Sequence, residues 1–201
     1  MVRLYGVRQS RAARSLWALE ELGVPYELVS TNIGTETQSP GYKAINPNRR
    51  IPALVDGDLT LFESMAINLY LAKKYDKGGL QPATPEDEAR AVQWSFWAMT
   101  ELEPQLMVVL MNRLFLPPNQ RDLSAANAAE EKLGPALGVL EGALAGKQYL
   151  LGPIFTIADL NVASVLAWAL FAKVDLAKSP NVKRWLQECV ARPAFAAARN
   201  G

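Results

Sequence analysis

Every β-prone run of this chain falls within its first 62 residues, and all later periodicity is helical. That segregation admits a small mixed α/β unit followed by an all-helical one. Val2–Val7 and Val24–Ser30 are the first two β-prone runs. Between them Ala12, Leu16 and Leu19, with Ala13, Trp17 and Leu22, recur at helical spacing, and Gly23 stands where a C-terminal cap belongs. The unit is βαβ, so its strands are expected to be parallel and joined by a right-handed crossover. Thr31–Asn48 is polar and irregular, with a short helix near Pro40–Ala44. Ile51–Val55, the Asp56-Gly57 turn and Leu59–Phe62 carry a hairpin pattern. A helix over Glu63–Tyr75 follows, with Ala66, Leu69, Tyr70 and Lys73 three and four residues apart.

Asp76–Pro85 is rich in Gly, Pro and charge and reads as a linker between a first domain, 1–78, and a second, 86–201. In the second, Ala89, Val92, Phe96 and Met99 lie along one face of a long helix, with Pro104 as its kink. Leu133, Leu137, Leu140 and Leu144 mark another, interrupted by Gly134-Pro135. Thr156–Lys173 is apolar nearly all round and is expected to be the buried central helix. Thr156 and Asp159 form a capping-box pattern at its start, with Phe155 and Leu160 as the hydrophobic staple. Val182–Ala191 and Ala194–Arg199 are two shorter terminal helices.

The loop Asn46-Pro47-Asn48-Arg49-Arg50 runs into Ile51-Pro52-Ala53-Leu54, and Glu63-Ser64 follows nine residues later. Proline cannot donate to a sheet ladder, so Pro52 at a strand entry points to an edge position or a sharp, cis turn. Ile51 then keeps backbone groups that an extended peptide can pair with. Ser64 opens a helix, and helix N-termini attract anions. A strand end beside a helix N-terminus suits a small anionic peptide. Residues 1–50 carry seven basic groups against four acidic ones, which fits either a solvated face or a basic cleft.

Net charge is +1, so no bulk electrostatic pull toward nucleic acid or membranes is expected. The chain has one cysteine, Cys189, and no histidine. An intrachain disulfide, a Cys/His metal site and histidine general-base catalysis are therefore excluded. No targeting segment or long apolar span is visible, and a cytoplasmic protein is expected.

Five patterns, in order, are similar to the cytosolic glutathione transferase family: Leu4-Tyr5-Gly6 with Ser10; Trp17 through Glu27; Asn46-Pro47 through Leu54; Glu63-Ser64 with Ala66-Ile67; and Gly152-Pro153 with Phe155 to Asp159. The likeness covers essentially the whole chain and, within the family, resembles bacterial serine-type members. It implies a thioredoxin-like N-terminal domain (βαβ–ββα), an all-α C-terminal domain, and a homodimer pairing the Ala66–Lys74 and Ala89–Glu101 helices.

The same resemblance implies that glutathione is the co-substrate, with no metal. The Ile51-Pro52 backbone would pair with its cysteinyl part, in a miniature strand addition. Ser64 would take the γ-glutamyl carboxylate and Glu63 the ammonium, with Arg50 and Gln38 at the glycine carboxylate. Ser10 would stabilise the thiolate, with Tyr5 and Arg11 as alternatives; on its residues alone Ser10 reads first as a helix cap. A hydrophobic electrophile would lie between the domains against Val7, Arg8, Trp97, Met107, Met111, Phe115 and Trp168. The N-terminal domain has no cysteine, so mixed-disulfide chemistry is not expected. Conjugation leads the expectations; peroxide reduction, dehalogenation, isomerisation and a non-catalytic binding module are the alternatives.

Overall fold

The computed structural model describes residues 1–200, which fall into two units. The first comprises Met1–Ala83 together with the residues from Ala191 on, and the second is Thr84–Val190. The C-terminal residues thus leave the helical unit and join the α/β unit.

In the first unit, β1 (Val2–Gly6), α1 (Ala12–Leu22) and β2 (Tyr26–Ser30) form the βαβ element, and β1 and β2 are parallel with Val2 opposite Tyr26. Gly23 ends α1 in the left-handed region, φ 59° and ψ 32°, where an L side chain is strained. A 3₁₀ turn at Glu36–Gln38 and α2 (Pro40–Ile45) lead to β3 (Ala53–Asp56), β4 (Leu59–Phe62) and α3 (Ser64–Tyr75). The strand order is β2-β1-β3-β4, with β3 antiparallel to both neighbours. β3 is therefore interior, which corrects the reading of Pro52 as an edge residue. The Ile51-Pro52 peptide is cis, and Pro52 sits just before the ladder begins, so its missing N–H costs no sheet bond.

The face of α3 toward the core is Met65, Ile67, Asn68, Leu71 and Ala72, while Ala66 and Lys73 of the expected stripe are exposed. The last helix, α10, spans Pro193–Asn200 and packs on α1. Trp17 and Phe195 meet edge to face with centroids 4.9 Å apart, and Arg192 grips Glu21 through two bonds of 2.6 and 2.8 Å.

At the end of β3, the Asp56 carboxylate accepts bonds from Lys74 Nζ (2.8 Å), Tyr70 (2.7 Å) and Tyr75 (2.7 Å). Burial pushes its pKa up, but these donors outweigh burial and hold it at about 2. A carboxylate depressed in the folded state adds stability above its unfolded pKa of roughly 3.9 and loses it as pH falls through the folded value. Asp56→Asn should therefore lower stability at pH 7 by about 1–3 kcal/mol and flatten the loss between pH 4 and 2. Urea unfolding at several pH values reads this; parallel pH profiles for both proteins would contradict it.

The second unit is helical: α4 (Pro85–Trp97), α5 (Glu103–Leu110), α6 (Leu123–Lys132), α7 (Gly134–Ala143), α8 (Ile157–Phe171) and α9 (Pro180–Val190). Wider π-type turns at Ala98–Leu102 and Met111–Phe115 flank α5, so the expected kink is spread over a turn before Pro104. The buried stripe of this segment is Ala91, Ser95, Ala98 and Leu102, whereas Ala89, Val92 and Phe96 face solvent. Leu133, Leu137, Leu140 and Leu144 are buried, although the helix is divided at Leu133. α8 is the buried centre, packed by α4, α5 and α9. At its start Asp159 Oδ2 accepts from Thr156 N (3.0 Å) and Oγ1 (3.2 Å), and Oδ1 from Leu150 N (2.8 Å) and Trp185 Nε1 (2.9 Å).

Candidate active site

The C-terminal end of β1, the start of β3 and the end of β4 meet at one end of the sheet. Register makes this so, because Tyr5 pairs Ala53 and Ala53 pairs Phe62. The residues just beyond those pairs are Gly6–Ser10, Ile51-Pro52 and Glu63-Ser64. Gly6 permits the close approach: its φ is +153°, and a Cβ there would lie 2.6 Å from Ala12 Cβ and 3.6 Å from Ile51 Cβ. The entry to α1 and Ile51 therefore close on the same glycine.

Ser10 lies in the turn between β1 and α1, two residues before the helix begins. Its Oγ donates to Val7 O (2.6 Å) and accepts from Ala12 N (3.1 Å), and its own N–H bonds Val7 O at 3.1 Å. The hydroxyl thus takes a bond from the first helical residue, which strengthens it as a donor. Tyr5 is packed in a cluster with Tyr42, Ile51, Ala53, Val7 and Ile45, its ring 6.0 Å from that of Tyr42.

The 46–51 loop is held by its own polar residues. Tyr42 Oη and Asn46 Nδ2 both donate to Arg50 O at 2.7 Å, and Asn48 N donates to Asn46 Oδ1 at 3.0 Å. Burial, followed by the neighbouring Tyr5, pushes the Tyr42 phenol up to about 12, so it stays a donor. These braces carry no group to the site themselves. Asn46 was visible in the sequence as part of a motif, whereas Tyr42 gave no signal beyond a short helix. They leave Ile51 buried at the mouth of the sheet with its backbone outside the ladder.

Arg49 takes φ 53° and donates to Gln38 Oε1 at 2.8 Å, so Gln38 is coupled to the loop through a residue to which no role was assigned. Arg50 is exposed. Glu63 holds φ 73° and ψ 114°, a sparsely populated backbone state for a non-glycine residue. Its carbonyl accepts the first bond of α3, from Ile67 N at 2.9 Å, and no side chain caps that helix. The first-turn N–H groups beside the buried Ser64 are thus free of an intrahelical acceptor. The arrangement supplies a hydroxyl donor, a backbone segment outside the sheet ladder and an uncapped helix N-terminus at one sheet end.

Arg8 is turned toward α10: its Nη1 donates to Ala197 O (3.1 Å) and Ala198 O (2.9 Å). Val7 is half-buried against the Ile51 cluster. In the second unit, Met107 and Met111 stand four residues apart on one segment and are half-buried, as are Trp97 and Trp168, while Phe115 is 62% exposed. Two cavities of this unit, about 660 and 460 Å³, are lined by other residues, among them Glu130 and Asp175 in the first and Arg113 and Phe171 in the second. Among the described residues no helix is long and apolar enough to cross a membrane, and no group of His, Cys, Asp and Glu is placed to hold a metal ion.

A four-stranded mixed sheet in the order β2-β1-β3-β4 with its helices, followed in sequence by a helical unit, is consistent with a thioredoxin-like domain joined to an all-α one. Residues 1–73 match the glutathione S-transferase N-terminal domain and residues 102–193 the glutathione S-transferase C-terminal domain. The chain is 34% identical to glutathione S-transferase F13 of Arabidopsis thaliana, covering 96% of this chain and 93% of the relative. It is 32% identical to glutathione S-transferase GstB of Escherichia coli, over 96% and 95%. Its fold superposes with a TM-score of 0.89, at 29% identity, on a theta class glutathione S-transferase of Xanthomonas axonopodis pv. citri solved with glutathione bound, over 100% of this chain and 97% of that one. The chain belongs to the glutathione S-transferase family.

Proposed function

We propose that the protein conjugates glutathione to hydrophobic electrophiles, as a serine-type transferase in which Ser10 stabilises the thiolate. The convergence of Ser10, Ile51 and Ser64 at one end of the sheet carries this reading. Glutathione lies extended, its cysteinyl backbone paired with Ile51 and its γ-glutamyl carboxylate at Ser64 and the open N–H groups of α3. Glu63 takes the ammonium, and Arg50 and Gln38 hold the glycine carboxylate. The Ser10 hydroxyl then rotates from Val7 O to the sulfur, keeping its bond from Ala12 N. With no histidine in the chain, the thiol proton leaves to water. The thiolate attacks the electrophilic carbon, the carbon–sulfur bond forms, and the leaving group departs with its electron pair. The electrophile is assigned to the apolar residues of the second unit, Met107, Met111, Phe115, Trp97 and Trp168.

Steady-state conjugation of glutathione to an activated aryl chloride tests this. Ser10→Ala should lower kcat/KM by about 10²-fold, the usual cost of removing one donor to a developing or held anion. Equal rates in the two proteins would overturn the role of Ser10, and no conjugation by the wild type would favour a non-catalytic module.

We further propose a cytoplasmic homodimer. Its supports are Val92 and Phe96 of α4, exposed by 39% and 69%, and Leu59 and Phe62 of β4, exposed by 37% and 36%. Sedimentation velocity should give twice the chain mass, and Phe96→Glu should shift the protein to monomer; a monomeric wild type would contradict the assembly.

A further inference from the structure

We propose that Arg8 is a positioning residue that bolts the Ser10 turn to the C-terminal helix, so that the last residues of the chain hold the thiolate donor in place. The inference rests on the serine-type reading above. Short-range bonds shape the turn from Val7 to Arg11: Ser10 N and Oγ to Val7 O, Ala12 N to Ser10 Oγ, and Ala13 N to Ser10 O. Bonds of this range shape a turn without fixing it relative to the rest of the molecule. Val7 packs on the Ile51 cluster, and Arg8 adds a polar tie to a distant element. Its guanidinium crosses to Ala197 O and Ala198 O, 189 and 190 residues away in sequence.

Those carbonyls belong to the last turn of α10, where the final C=O groups lack intrahelical partners and the helix end favours a cation. The other end of the strut is firm as well. α10 is seated on α1 by the Trp17–Phe195 ring contact, and by Arg192 on Glu21, whose Oε1 also accepts from Trp17 Nε1 at 3.0 Å. The Ser10 turn is thus held from both sides, through α1 that follows it and through Arg8 inside it, and both routes end on α10. A donor that must sit within hydrogen-bond reach of a sulfur loses much of its effect when displaced by about 1 Å. The electrophile is a weaker use for Arg8, because both of these bonds aim its charge into the protein.

The test compares wild type with Arg8→Met, which keeps the apolar stem and removes the donors, Arg8→Lys, which keeps a cation, and Arg192→Met, which loosens α10 without touching Arg8. Each is titrated for the ultraviolet absorbance of bound glutathione thiolate, assayed for conjugation, and measured for binding of S-methylglutathione, which has no thiol. Arg8→Met should lower kcat/KM about tenfold and move the thiol titration upward, with S-methylglutathione affinity unchanged. Arg8→Lys should recover most of both, and Arg192→Met should melt earlier and shift the titration less than Arg8→Met, because Arg8 keeps its own bonds. A wild-type titration in both Arg8 variants, or an equal shift in Arg192→Met, overturns the inference and leaves the serine-type reading standing. A wild-type enzyme whose bound thiol titrates like free glutathione removes that reading and the inference together.

Discussion

Asp159→Ala should destabilise the protein by about 3–5 kcal/mol, a large part of the roughly 5–15 kcal/mol that holds a typical domain together. Asp159 is fully buried and satisfies four donors from three places in the chain: Thr156 twice, Leu150 and Trp185. Burial pushes its carboxyl up from the ordinary range, while these donors pull it back. Alanine would strand the Leu150 and Thr156 N–H groups and the Trp185 indole in a dry interior, each at about 1–3 kcal/mol. It would also uncap α8, the helix on which α4, α5 and α9 pack. Asp159→Asn should cost less without being neutral. Oδ1 and Oδ2 each face donors, so an amide must point its NH₂ at one set or the other. Urea unfolding read by tryptophan fluorescence checks the order Asp, Asn, Ala. A loss below about 1 kcal/mol for alanine would mean that water replaces the carboxylate.

The second large effect is expected at Ser64. Under the proposed binding mode its hydroxyl and the open N–H groups of α3 receive the γ-glutamyl carboxylate. Ser64→Ala removes one hydrogen bond to a charged group, about 1.5–3 kcal/mol, or roughly a 10- to 150-fold weaker Kd. Ser64 caps nothing in the present structure and lies on the helix end itself, so the thermal midpoint should hardly move. Calorimetric titration with glutathione reads the affinity. A change under threefold would place the carboxylate elsewhere, and a collapse of the fold would make Ser64 a structural residue.

Features set by local chemistry were legible in the sequence. Gly23 as a cap, the Asp56-Gly57 turn, the capping box at Thr156 and the apolar run of α8 each depend on residues within one turn of one another. The grouping of the candidate residues was legible for a related reason: Ile51-Pro52 and Glu63-Ser64 are neighbours in sequence, and the hairpin between them brings them to one end. Features set by distant partners were not. The three- and four-residue spacing of Ala66, Leu69, Tyr70 and Lys73 described a face of α3, yet Ile67 and Leu71 point to the core, since period alone does not say which side is covered. Val92 and Phe96 misled in the same way, because the small residues Ala91, Ser95 and Ala98 are what fit against the interior. Nothing local assigned α10 to the first unit. Its seat is made by Trp17 and Glu21, some 170 residues earlier.

The central claim is that Ser10 holds the glutathione thiolate, and a pH titration of thiolate absorbance for bound glutathione tests it most directly. The account predicts ionisation well below the roughly 8.5 of a free thiol, moving back toward that value in Ser10→Ala. A low titration that persists in Ser10→Ala, or a wild type that titrates like free glutathione, would contradict it.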